Sequence, residues 1–377
     1  MSAAPDVKAA GGTSPAASRM VEQDVAKGIA MLLVIALHTL CLKKSVYSFM
    51  GGIFGFIMPF FFFLAGYNHR PYRFGYREII RKRAKQILIP FLKYSFIIMV
   101  IAGAYYMIAE GYTLRMVAES YLVLLLSKPF SNVIGLQSAN GLYSCVMVCW
   151  FLELIFTASF VFYAVVDYAL AKASRLVSVL FGLVMVTMVF AHFDFHLPFF
   201  LCEAPAIAAI MLLGAFFGQK QLLGDGFKRR DVVLNSVVAY GVFVALALQF
   251  KQAGFMAGGF VWDKTLREWS LLLCVIYAVV GSYPFVHACK GLRRAGVVTR
   301  ALVWCGNNSM LLLLLHQIVQ LFLCVLLKME PFRISLNSTV NDFRTLYLFV
   351  LEVLVTVLLI LAIERVKKRF ARKSGAE

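Results

Sequence analysis

Three groups able to hold or exchange a proton stand close together near the start of the chain. The run Asp24-Val25-Ala26-Lys27-Gly28 opens an apolar segment that also contains His38. Asp24 and Lys27 are three residues apart, the spacing at which an acid and a base pair on one helical face. Lys27 and His38 are eleven apart. That is almost three helical turns, so both point the same way, ~16 Å apart along the axis. Carboxylate, ammonium and imidazole then form one stripe. Imidazole is the side chain best suited to take and give a proton near neutral pH. Two readings of the stripe stand open. In one it is a proton-transfer site facing a cavity. In the other Asp24 and Lys27 snorkel to a membrane surface and His38 hydrogen-bonds a neighbouring helix.

A second group is basic. Phe56-Ile57-Met58-Pro59 and the run of Phe to Ala65-Gly66-Tyr67 read as an apolar span broken by Pro59. They lead into Asn68-His69-Arg70, Arg73, Arg77, Arg81, Lys82, Arg83 and Lys85, closed by Ile89-Pro90-Phe91. This is either a topology-setting loop beside anionic headgroups or a site for a polyanion such as the phosphates of coenzyme A. A third group is Gly306-Asn307-Asn308-Ser309, followed by leucines and then His316. The polar run reads as a helix start with caps for unpaired N–H groups. His316, two turns inside, is a functional candidate or a satisfied packing histidine. His192, Asp194 and His196 share one turn. Two His four apart on a helix suit a metal, but no further ligand pattern accompanies them, and no metal is expected. The eight cysteines show no Cys-x-x-Cys and lie mostly in apolar stretches, so neither disulfides nor a zinc site is expected.

The elements that must position these groups are membrane helices. Of 377 residues, 61% are hydrophobic and only 15% charged, and the mean hydropathy is +0.81. Such a chain is not disordered, not a coiled coil and not an ordinary cytosolic enzyme. It is an all-α polytopic membrane protein with about ten transmembrane helices. The spans are placed at 25–42, 49–67, 87–109, 143–167, 175–191, 197–218, 232–250, 268–287, 302–327 and 345–363. Segment 113–126 carries Arg115 and Glu119, is short, and is left out as an interfacial piece. Lys and Arg number 25 on the side of the termini and 10 on the other. By the positive-inside rule both termini are cytoplasmic. The net charge of +18 lies in these loops, so nucleic acid is not the partner. Residues 1–20 read as a disordered cytoplasmic tail, 21–366 as the membrane domain and 367–377 as a basic cytoplasmic tail.

In this order the motifs resemble the acyltransferase-3 family of integral-membrane O-acyltransferases, most closely its fucose-4-O-acetylase-like branch. The resemblance rests on Asp24-x-x-Lys27-Gly28-Ile29 through His38, with Lys27 where many members have Arg. It rests also on Met58-Pro59 through Ala65-Gly66-Tyr67 with the basic stretch and Ile89-Pro90, on Trp150-Phe151-Leu152, and on Gly306-Asn307-Asn308-Ser309 through His316. Leu197-Pro198-Phe199 leading to Leu213-Gly214 is a weaker match. The chain departs from the branch at Ile57, where relatives often have His, and at Ala65, where they often have Ser. The resemblance implies an O-acetyltransferase of the cell inner membrane. It moves an acetyl or acyl group from acetyl-CoA, a co-substrate, to a sugar hydroxyl of a surface polysaccharide or glycolipid. Arg77, Arg81, Arg83 and Lys85 would hold the phosphates, and Trp150 would line the pocket. His38 would act as general base or accept the acetyl group itself, with Lys27 and Asp24 at the mouth, and Glu153 positioning His38 or the acceptor. His316 is the second candidate histidine. The competing reading is a transporter or flippase for a glycolipid or small molecule, which also places ionisable groups at mid-membrane.

Overall fold

A computed structural model describes residues 20–40, 54–70, 75–139, 142–143, 145, 148–226, 228–249, 267–329 and 343–373. Among these the regular structure is helical throughout. Helix α1 (Val21–Thr39) is followed by α2 (Ile57–Tyr67), α3 (Tyr76–Arg83) and α4 (Ile89–Ala109). Then come α5 (Leu114–Leu126), α6 (Lys128–Val133), α7 (Trp150–Leu170), α8 (Ala173–His192), α9 (Ala204–Gln219) and α10 (Arg229–Gln249). Helices α11 (Arg267–Cys289), α12 (Val297–Asn307), α13 (Ser309–Leu326) and α14 (Arg344–Lys373) complete the chain. Six stretches are long and apolar enough to cross a bilayer: Tyr76–Ala109, Trp150–Leu170, Ala173–His192, Pro198–Gln219, Ser309–Leu326 and Arg344–Phe370. The expected spans 25–42, 49–67, 232–250 and 268–287 coincide with α1, α2, α10 and α11. They stand outside that group. In α1 the first turns hold Glu22, Asp24 and Lys27, and α2 has only 11 residues.

The helix α2 is the central post. Its four consecutive phenylalanines reach different neighbours. Phe60 meets Phe285 of α11 at 5.2 Å between ring centroids, Phe62 meets Phe151 of α7 at 4.8 Å, and Phe63 meets Phe217 of α9 at 5.3 Å. A helix apolar on every side is stable only when enclosed on every side, and that is where α2 lies. The expected break at Pro59 is absent. The helix begins at Ile57, so Pro59 falls in its first turn, where the missing N–H has no intrahelical acceptor to lose.

Two other boundaries differ from the sequence reading, and the segment it left out of the spans is a helix. The span placed at 143–167 begins as a helix at Trp150 and runs to Leu170, so Trp150 and Glu153 occupy a helix end rather than its middle. The span placed at 302–327 is two helices that meet at Asn308. The Asn308 amide donates back to Trp304 O at 3.2 Å instead of capping the N–H groups ahead of it. Segment 114–126 is a helix with Thr113 as its N-cap, and its two charges pair with each other, Arg115 Nε to Glu119 at 2.7 Å. Between α3 and α4 the helix continues through a π turn at Ala84–Leu88. Pro90 cannot donate to the carbonyl of residue 86 and crowds it; the wider turn relieves that clash.

Close helix crossings fix the bundle. Gly28 of α1 lies against the backbone of Leu302, and Gly306 of α12 lies against the backbone carbonyl of Asp24. Gly66 of α2 and Gly214 of α9 likewise face backbone, that of Met211 and Phe63. Small residues let helices approach until backbones touch, which drives packing where lipid offers no hydrophobic gain. A Cβ at Gly306 would overlap Asp24, whereas one at Gly182 of α8 meets nothing within 4 Å. Gly306→Ala should therefore lower the melting temperature in detergent, at a cost of about 1–3 kcal/mol. Gly182→Ala should hold or raise it, by about 0.5–1 kcal/mol.

Candidate active site

The helices carry their functional groups at two opposite ends. At the end where α1 finishes and α2, α7 and α9 begin lies a cavity of about 40 Å³, lined by Val34, Leu37 and His38 of α1, Ile57 and Met58 of α2, Trp150 of α7 and Leu313 of α13 among others. That volume admits a few water molecules. His316 lies beside His38, with ring centroids 5.8 Å apart and planes tilted by 46°. His316 is fully buried. Its Nδ1 lies 3.0 Å from Leu312 O and 2.8 Å from Leu313 O. Carbonyls only accept, so Nδ1 carries the hydrogen and Nε2 keeps a lone pair. Among the described residues Nε2 has no partner, and neither has His38 Nδ1. Two neighbouring imidazoles thus each keep an uncommitted nitrogen, and His38 lines the cavity.

Trp150 borders this cavity and rests on Phe200 at 6.2 Å. Glu153, one turn further along α7, is buried, and neither carboxylate oxygen has a described partner. Glu203, just ahead of α9, is equally buried and close enough to Glu153 for the two to repel. The sequence reading passed over Glu203 and also Gln317, Gln320 and Glu352. The signal was present, since Glu203 and Glu352 stand inside stretches placed as spans, where a carboxylate marks function by default.

Asp24 and Lys27 pair at 2.7 Å as the spacing implies. They sit beside the α12 crossing, about three turns from His38, so the structure does not bring them to the imidazole. Around them the basic end is laced together. Arg293 holds buried Glu22 through Nε at 2.9 Å and Asp225 through Nη1 at 2.9 Å, and Lys290 reaches Asp225 at 3.2 Å. Arg293 and Lys290 hold the Asp225 carboxyl below its ordinary range. Arg77, Arg81 and Lys85 are exposed along the outward extension α3 and its π turn, with Arg77 and Arg81 one turn apart on one face. Arg83 turns inward instead. Its Nε donates to Tyr163 Oη at 2.8 Å and its guanidinium lies over that ring at 5.5 Å. His69 packs on Phe162 and Tyr163 and faces Asp167 at 4.0 Å. Burial, with the Arg83 charge, lowers its pKa against the opposing pull of Asp167.

An acyltransferase domain, that of the acyltransferase 3 family, matches residues 21–365, from the first turn of α1 to the last helix. The chain belongs to the acyltransferase 3 family. It is accordingly a membrane acyltransferase, with an acyl donor and an acyl acceptor as partners. Neither a curated protein nor a solved structure shows a match to it.

Within this family member, the Asp24–Lys27 pair tests the packing at the basic end. Removing Lys27 takes from the buried Asp24 carboxylate its ion-pair partner. Lys27→Met should lower the melting temperature in detergent clearly, and adding Asp24→Asn to it should recover most of the loss. A double variant no more stable than Lys27→Met would show that the loss does not come from the stranded Asp24 carboxylate.

Proposed function

We propose that the protein is an O-acetyltransferase of the cell inner membrane, moving an acetyl group from acetyl-CoA to a sugar hydroxyl of a surface polysaccharide or glycolipid. The observation that carries this reading is His38 lining a cavity, with the His316 ring beside it, inside an acyltransferase domain. His38 borders the space, and a ring nitrogen there takes the hydroxyl proton as the sugar oxygen attacks the thioester carbonyl. The C–S bond breaks and the proton passes from His38 to the departing thiolate, giving free coenzyme A. His316, held by the Leu312 and Leu313 carbonyls, keeps its Nε2 lone pair beside the neighbouring imidazole. Trp150 lines the pocket, and Glu153 lies one turn away as an acceptor for sugar hydroxyls.

The donor enters from the opposite end. Arg77, Arg81 and Lys85 are exposed and are the groups placed for its phosphates. Arg83, committed to Tyr163, shapes that end rather than contacting the nucleotide directly. Helix α2 links the two ends, its 11 residues rising ~16 Å from the cavity to the basic stretch. The pantetheine arm spans that distance. The orientation that suits this route has both termini in the cytoplasm.

Two measurements test the proposal. His38→Ala, folded and expressed as the parent, should lower acetyl transfer by about 10²–10⁴-fold. Undiminished acetylation of envelope glycans by mass spectrometry would refute the assignment. Arg77→Gln with Arg81→Gln should raise the KM for acetyl-CoA with little change in kcat, because the lost contacts are made equally before and during reaction. The same variant should weaken the thermal stabilisation that coenzyme A gives the parent in detergent.

A further inference from the structure

Behind His38 lies a polar cluster that the proposed reaction does not use. Thr39, the last residue of α1, places its Oγ1 2.8 Å from Ile35 O and 2.6 Å from Glu352 Oε2. Glu352 comes from the middle of α14 and has no exposed surface. Among the described residues it has no basic partner, and its Oε1 makes no hydrogen bond. From α13, Gln320 donates through Nε2 to the backbone carbonyl of His38 at 3.0 Å. That carbonyl is one of the last four of α1, which have no partner within the helix. Two other helices therefore hold the end of α1 around His38: α13 by the carbonyl of His38, α14 by the side chain of Thr39.

The hydrogens can be counted. Ile35 O only accepts. A hydroxyl has one hydrogen to give, so a two-centre bond at both contacts of Thr39 requires a second hydrogen, and only the Glu352 carboxyl can carry it. The chain then runs from Glu352 Oε2–H to Thr39 Oγ1–H to Ile35 O. A neutral acid also needs no counter-charge in an enclosed apolar setting.

We propose that Glu352 is a positioning residue for His38, acting as a neutral hydrogen-bonding acid through Thr39 to fix the end of α1. The inference rests on His38 being the catalytic base. Glu352 touches neither donor nor acceptor and exchanges no proton in turnover. What it supplies is the placement of the ring, and a displacement of about 1 Å at a reacting group costs on the order of 10²-fold in rate.

The test uses the full-length protein in membrane vesicles from cells that naturally make it, so that the native acceptor is present. Acetyl-CoA is the donor, and release of free coenzyme A is the readout. Glu352→Ala and Thr39→Val should each lower kcat by about 10²-fold with the KM for acetyl-CoA unchanged. The double variant should be no worse than either single one, as expected for two groups acting through one bond. Glu352→Gln, which can still donate, should regain most of the kcat lost in Glu352→Ala. Thr39→Val at full kcat overturns the proposal whatever the fate of Glu352→Ala. Glu352→Gln as slow as Glu352→Ala also overturns it, because the carboxyl would then be doing proton chemistry. His38→Ala is measured alongside. Full activity there removes His38 as the catalytic base, and no coenzyme A release by the parent refutes the proposed function itself; both results are separate from either outcome at Glu352.

Discussion

A polar group inside a lipid-surrounded bundle has no bulk water to fall back on, and this constraint organises the whole molecule. Each buried donor or acceptor must find a partner on another helix, turn back on its own backbone, or face a cavity. Ser95, Ser131, Ser159 and Thr187 take the second course, each bonding a carbonyl three or four residues back. They need no further explanation. His38 Nδ1, His316 Nε2 and the Glu153 carboxyl do not resolve this way, and His38 lines a small cavity with His316 beside it. Uncommitted polar atoms in an apolar interior are costly.

The same constraint explains what could be read from the chain alone. Six of the ten expected spans coincide with stretches long and apolar enough to cross a bilayer, because length and apolarity are local properties. The motifs around His38 and His316 were legible as motifs, and family membership agrees with them. Their meeting was not legible. Positions 38 and 316 are brought together by the α1 to α12 crossing and by the break at Asn308, both of which depend on contacts far apart in sequence. The α2 helix illustrates a different failure. Pro59 reads as a breaker in any apolar run, yet its effect depends on where the helix starts. Trp150 looked like a mid-span residue because the apolar stretch before it is not part of helix α7. Glu203 and Glu352 were visible as charges in spans but had no motif to draw attention to them.

The stripe from Asp24 to His38 is the clearest case in which spacing and function part. The ion pair forms as spacing implies. It lies about three turns from the imidazole, at the basic end of α1 near Glu22 and its partner Arg293. Arg83 parts from its neighbours in the same way. Its place in a basic run suggested a phosphate contact, but the ring of Tyr163 claims it. In both cases the tertiary neighbour, absent from any local pattern, decided the role.

The π turn ahead of Pro90 has a geometric effect beyond relieving a clash. Helix α4 is anchored by its packing, and α3 projects from it as one continuous rod of 34 residues. A turn of altered width resets the rotational phase between the two parts. Each residue of an α-helix advances the azimuth by about 100°. Loss of a single residue within Ala84–Leu88 would swing the arm by roughly a quarter of a revolution. Arg77 and Arg81 would then sweep off their present bearing, although no side chain on the arm itself had changed.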